Sequence, residues 1–178
     1  MDEHDLAQRA AQGDREAFGE LVARHQAGVY NVAYRMLGER REAEDATQEA
    51  FLRAFRAMHT LDPERPPGAW LKKIAVNVCL NRLERWGTLT LEDDEALPAN
   101  DPGPESQTIA REQNHLIRAA LLSLPARYRA AIELRHFQEL SYAEMAETLN
   151  RPLSNIKSDL FRARKLLAEI LRQTPWNT

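Results

Sequence analysis

The sequence predicts an all-α protein built as two small helical domains joined by an acidic, flexible linker. Three observations predict it. Apolar residues recur at three- and four-residue spacing on both sides of the chain's centre, the period of amphipathic helices. No convincing alternating strand run interrupts them. The segment from Gly87 to Gln107 combines three prolines, two glycines, six acids and no base, which is the composition of a linker. The predicted bounds are 1–86, 87–108 and 109–178.

In the first block, Gly13-Asp14 separates a short helix from a long one. Asp14 is a candidate N-cap, with Glu16 in the first turn to complement the helix dipole. Phe18, Leu21, Val22, Val29, Val32, Ala33 and Met36 then mark one buried face, and Gly38 follows as a stop. A third helix is predicted from about Glu39 to Met58, with Ala43, Ala46, Ala50, Phe51, Ala54, Phe55 and Met58 facing inward. The loop from His59 to Pro66 ends it. A fourth helix runs from Pro67, which suits a first turn, to about Trp86, and buries Trp70, Ile74, Val78 and Leu83.

Beyond the linker, Ile109 to Leu124 reads as a helix ended by Pro125, and a second helix continues to about Phe137. Ser141 and Glu144 have capping-box spacing and open a short helix that Asn150-Arg151-Pro152 interrupts. Ser154 is the candidate cap of the last helix, which reaches about Arg172. Two helices joined by so tight a turn predict a helix-turn-helix.

At about 100° per residue, Leu160, Ala163, Leu167, Ile170 and Leu171 fall on the same side of the last helix as Ile156 and form its core stripe. Ser158, Phe161, Arg162 and Lys165 fall on the far side, with Lys157 and Arg164 on one flank. A solvated face has no use for the Phe161 ring. Major-groove DNA does, because an aromatic ring packs on a thymine methyl while arginine or lysine reads guanine. Asp159 falls on the other flank near the core edge. Two roles are open there: orienting Arg162, three residues on, or excluding a phosphate.

The formal charge of -3 over 178 residues does not oppose this reading. Residues 1–58 carry -3 and residues 87–110 carry -6, while 59–86 carry +2 and 125–178 carry +3. Phosphate neutralisation depends on where the cations lie rather than on their total. A hydrophobic content of 43% supports packed cores. The single cysteine, Cys79, precludes an internal disulfide and reads as a small buried hydrophobe. Neither a signal peptide nor a membrane span is expected, so the expected setting is cytoplasmic. The five histidines are dispersed, with no accompanying nucleophile or phosphate-cradling loop. Neither enzyme activity, a metal site nor a cofactor is expected.

These residues resemble the extracytoplasmic-function (group 4) RNA polymerase sigma factors of the sigma-70 family. Gly13-Asp14-Arg15-Glu16-Ala17-Phe18, EDATQEAFLRAFRAM and WLKKIAVNVCLNRL are similar to the family's region 2. The stretch from Leu124 to Leu167 is similar to its region 4. The resemblance implies core RNA polymerase as partner, through its largest-subunit clamp helices and flap region, together with promoter DNA and an anti-sigma factor. Asp45, Gln48 and Glu49 match the clamp-docking surface. Arg56, His59, Leu61, Lys72, Lys73 and Asn77 match the element that reads the -10 motif, with Asn77 at the pocket for a flipped base. Arg135, Lys157, Ser158, Phe161, Arg162 and Lys165 match the -35 surface. The resemblance makes the acidic linker the segment threaded toward the polymerase active centre, where RNA mimicry and a solvated spacer are both open readings.

Three departures stand out. Leu61 stands where the -10 loop commonly has an aromatic, and another is common near Pro67. Arg151 occupies a usually apolar turn position, and Asp159 stands where a base is common. The rival reading is a helix-turn-helix regulator that is not a polymerase subunit.

Overall fold

Asp14 is the N-cap that starts the central helix. Its Oδ1 accepts from the Glu16 and Ala17 backbone N–H groups at 2.9 and 3.1 Å. The Arg9 guanidinium grips Oδ2 at 2.6 and 2.9 Å. The Ala17 N–H and Arg9 together hold the Asp14 carboxyl below its ordinary pKa. The computed structural model describes residues 2–92 and 109–173, with side chains described for 2–87 and 112–173. Among these residues every regular element is helical.

The N-terminal half comprises α1 (Glu3–Ala11), α2 (Arg15–Leu37), α3 (Arg40–Arg56), a 3-10 turn (Met58–Thr60) and α4 (Pro67–Glu92). Helix α2 lies at the centre, packed by α1, α3 and α4, and its predicted inner face is the buried one. Leu21, Val29, Val32 and Met36 meet Leu71, Val76 and Val78 in this core. Cys79 is buried there too, and burial pushes its thiol pKa up to about 12.

Three boundaries differ from expectation. Glu39 caps α3 rather than beginning it, accepting from the Arg41 and Glu42 N–H groups. The helix stops at Arg56, and the chain tightens into the 3-10 turn before the loop. Helix α4 runs to Glu92, six residues beyond the predicted end at Trp86, because Thr88-Leu89-Thr90-Leu91 contains neither glycine nor proline to stop it. Residues 93–108, and with them most of the predicted linker, lie outside the described residues.

The C-terminal half comprises α5 (Ile109–Leu122), α6 (Ala126–Ile132), α7 (Tyr142–Leu149) and α8 (Leu153–Arg172). The single helix predicted over Pro125–Phe137 is instead α6 followed by a π-turn, Glu133–Phe137. Its wider hydrogen bond runs from the Gln138 N–H to the Glu133 carbonyl at 3.1 Å, and Glu139 then reverses the chain at φ 56.

The two halves pack against each other, α2 on α5 and α4 on α6 and α7. Gly38 shows how closely. It ends α2 at φ 75, a conformation favouring glycine, and a Cβ there would lie 2.5 Å from the Leu122 Cδ1. Beside it the buried Arg129 guanidinium donates to the carbonyls of Leu121, Leu122 and Leu124 and to that of Met36 in the other half. Next along, Arg35 of α2 makes a bidentate pair with Glu133 at 2.8 and 2.9 Å and stacks 4.3 Å from the Phe137 ring.

Replacing Arg129 by methionine keeps much of the volume and takes the guanidinium from four carbonyls, of which that of Leu121 still accepts from the Leu124 N–H at 3.1 Å. The expected cost is about 2–4 kcal/mol of stability, measured by urea unfolding. A loss below about 0.5 kcal/mol would mean that water satisfies those carbonyls instead.

Candidate nucleic-acid and partner interfaces

The helix-turn-helix is assembled by local capping. The Ser141 hydroxyl accepts from the Glu144 N–H at 3.1 Å, and the Glu144 carboxylate accepts from the Ser141 N–H at 2.8 Å. This is the capping box expected. Asn150 ends α7 in the left-handed region at φ 49, and the Arg151 N–H returns to the Ala146 carbonyl at 3.0 Å. Ser154 does not cap α8. Pro152 occupies the N-cap position, and its carbonyl accepts from the Asn155 and Ile156 N–H groups. No side chain caps this helix start, and the proline's restricted φ instead fixes the direction in which the chain enters α8.

Helix α8 then divides as its periodicity predicts. Ile156, Leu160 and Ala163 are buried, while Lys157, Phe161, Arg162 and Lys165 are exposed and Ser158 is half-buried. Phe161 is 69% exposed, so its ring contributes little to the core. Arg135 reaches the same region. It donates to the Leu140 carbonyl at 2.8 Å and lies 4.8 Å from the Tyr142 ring centroid. The Lys157 ammonium is 5.9 Å from the same ring. Tyr142 is therefore a platform for two cations, a role that its place in the first turn after the capping box does not signal. Arg164 faces His136 at 3.2 Å. Burial, followed by Arg164 and Arg135, lowers the His136 pKa.

Asp159 corrects a sequence expectation. It is 5% exposed, and its carboxylate is bonded to Arg151, with Arg127 3.9 Å away. It pairs across the turn rather than with Arg162. The two departures, a base at 151 and an acid at 159, are partners. Their spacing of eight residues across a helix start hid that relation in the sequence.

Asp45 and Gln48 are exposed on α3. Glu49 is half-buried and braces two helices. It accepts from Arg53 at 2.6 Å and from Arg82 of α4 at 2.9 Å. Burial raises its carboxyl pKa, and the hydrogen bonds from Arg82 and Arg53 outweigh that and hold it below the ordinary value. Beside the Asp45–Gln48 strip an open groove of about 770 Å³ runs between α2 and α3. Phe18, Val22, Tyr30, Phe51, Leu52 and Phe55 line it, with Leu52 58% exposed. The sequence signal for this groove was Leu52, an apolar residue outside the inner stripe of α3.

The predicted -10 residues do not share one open face. Arg56 and His59 are exposed, and Lys72 and Lys73 are half-buried. Leu61 is 4% exposed, seated in the core rather than offered to a ligand, because the preceding 3-10 turn directs it inward. The Asn77 amide donates to the Thr148 carbonyl of α7 at 2.9 Å, so the C-terminal half occupies it. The last turn of α7 has carbonyls without intrahelical donors, and Asn77 satisfies one of them.

Residues 21–87 match sigma-70 region 2, and residues 114–167 match sigma-70 region 4. The chain is 34% identical over 171 residues to the ECF RNA polymerase sigma factor SigW of Bacillus subtilis, covering 90% of this chain and 91% of that one. It is 38% identical over 168 residues to the ECF RNA polymerase sigma factor SigE of Mycolicibacterium smegmatis, covering 90% of this chain and 65% of that one. Among solved structures, CnrH in complex with the cytosolic domain of CnrY is similar at a TM-score of 0.66 and 27% identity. That match covers 95% of this chain and 96% of CnrH.

Neighbouring positions on α8 should separate contact from core. Phe161→Ala is expected to change stability by less than about 0.5 kcal/mol, and Leu160→Ala to cost about 2–5 kcal/mol. Chemical denaturation of the two variants checks this, and a large loss at Phe161 would reassign its ring to the core.

Proposed function

The chain belongs to the extracytoplasmic-function RNA polymerase sigma factors of the sigma-70 family, and from that premise we propose how its surfaces divide the work. It binds core polymerase, recognises -35 and -10 promoter elements and enables initiation, without catalysis of its own and in the cytoplasm. Residues 1–86 act as region 2, 109–178 as region 4, and 87–108 as the connection. The observation that carries the reading is the α8 surface, an exposed phenyl ring flanked by Lys157, Arg162 and Lys165. Its cations neutralise phosphates, while Arg162 and Phe161 have the chemistry to read guanine and thymine in a major groove. Arg135 and Lys157 share the Tyr142 platform, which limits their rotamer freedom before DNA arrives.

The N-terminal half docks on the polymerase clamp helices through Asp45 and Gln48 and the apolar groove beside them. Charge in that strip orients the encounter, and Leu52 and Phe51 supply area to bury. Glu49 supports the surface by holding α3 to α4. Reading a -10 base with Asn77 requires its amide to leave the Thr148 carbonyl, so α7 lifts away from α4 on the promoter. An anti-sigma protein completes the set of partners, by analogy with CnrH, whose structure holds the cytosolic domain of CnrY. No specific observation favours a regulator acting apart from polymerase.

Transcription reconstituted with core enzyme tests this reading. A promoter-dependent transcript is expected only when the chain is present, and normal core binding without any transcript would refute it. Asp45→Ala combined with Gln48→Ala should weaken core affinity, read by competition binding; unchanged affinity would remove those residues from the interface. Arg162→Ala should reduce discrimination at one -35 position by about 1–3 kcal/mol, measured over a set of single-base promoter variants. An equal loss over all of them would make Arg162 a phosphate contact.

A further inference from the structure

The flank of α8 that carries Asp159 holds a second cationic feature, separate from the reading face. Asp159 is one turn from Arg162, and its side chain is 6% exposed. Above it lie two guanidinium groups from different elements. Arg151 comes from the α7–α8 turn and is bonded to Oδ2, its side chain 29% exposed. Arg127 comes from the first turn of α6, with Nε 3.9 Å from Oδ1 and its side chain 52% exposed. Arg127 also donates to the Tyr128 hydroxyl at 3.4 Å and lies 5.1 Å from that ring. Arg162 also lies beside the Tyr128 phenol, whose pKa is lowered first by Arg127 and then by Arg162, so the three arginines adjoin along one rim. Two guanidinium groups cover one sunken carboxylate, leaving an excess of one positive charge on the outside.

An acid beside a DNA-binding helix ordinarily repels the backbone. This one is covered by the cations it attracts. A guanidinium has five N–H donors, and one carboxylate leaves most of them free. A paired arginine has already lost part of its rotamer freedom, which lowers the entropic cost of a phosphate contact. Burying the carboxylate is unfavourable unless such partners compensate it. The pair therefore serves the arginines as much as the acid.

We propose that Asp159 is a positioning residue that aims Arg151 and Arg127 at the DNA backbone beside the -35 site, extending the contact beyond Lys157, Ser158, Phe161 and Arg162. The inference rests on the promoter reading above and adds to it a phosphate-binding pair and the acid that orders it. It also predicts an effect opposite to simple electrostatics. Removing the negative charge of Asp159 weakens binding, because the arginines lose their orientation.

The test uses the full chain assembled with core polymerase on a promoter duplex from which the wild-type holoenzyme initiates. Affinity is measured across a salt series and a set of -35 variants. Arg151→Ala and Arg127→Ala are each expected to lower affinity about threefold to tenfold, equally over all -35 variants, and to reduce the salt slope by about one. Asp159→Asn should lower affinity about twofold to fivefold, and nearly nothing further in the Arg151→Ala, Arg127→Ala background. Tighter binding by Asp159→Asn would overturn the proposal and leave Asp159 a repulsive charge. An unchanged salt slope in both arginine variants would overturn it too, making the cluster a structural ion pair. Arg127 is half exposed, so its variant reports even if a change at the buried Asp159 impairs folding. If no duplex supports initiation, the promoter reading itself falls, and that outcome is seen before any variant is compared.

Discussion

Arg129 is buried without an acid to neutralise it. Its guanidinium is spent on backbone carbonyls, three where α5 turns into α6 and one at the end of α2. Helix C-termini leave such carbonyls without intrahelical donors, and their dipoles favour a cation. Burial lowers the Arg129 pKa to about 10, which leaves it charged at neutral pH. A single cation thus closes the turn that shapes the C-terminal half and ties that half to the N-terminal one. Gly38 allows the approach, since any side chain there would strike Leu122.

The rest of the contact between the halves follows from that anchor. Arg35 meets Glu133, the Phe137 ring lies under Arg35, and Asn77 meets the Thr148 carbonyl. Most of these bonds can be exchanged for water, or for nucleic-acid groups, at moderate cost. Polar contacts of this kind permit relative motion of domains more readily than a continuous apolar seam. The surface that would read a -10 base is also the surface on which α7 rests, whereas the Phe161 face of α8 remains open. The two candidate DNA surfaces therefore stand in different states within one compact arrangement.

Much of this was legible from periodicity and capping. The inner faces of α2 and α8, the Asp14 cap, the Ser141–Glu144 box and the Gly38 stop all depend on residues within one or two turns of each other. Their physics is local, so the order of side chains reveals it. The outward face of α8 was legible for the same reason, because a helix converts spacing directly into angle. Leu61 was misplaced because a 3-10 turn, which no local residue pattern marked, rotates it into the core. Glu49 was read as a docking residue and is also a brace, since its partner Arg82 lies 33 positions away.

By itself, then, the sequence determined an all-helical chain, the position of its helix-turn-helix, the side of α8 turned outward and the family whose motifs it carries. Those properties follow from hydrophobic period, capping chemistry and residue order. The tertiary structure alone decided that Asp159 pairs with Arg151, that Arg129 joins the halves and that Asn77 is occupied by Thr148. Each of these is a polar bond between groups on different elements. Its partner is chosen by which surfaces the packed helices bring within about 3 Å of each other, and no spacing along the chain encodes that distance.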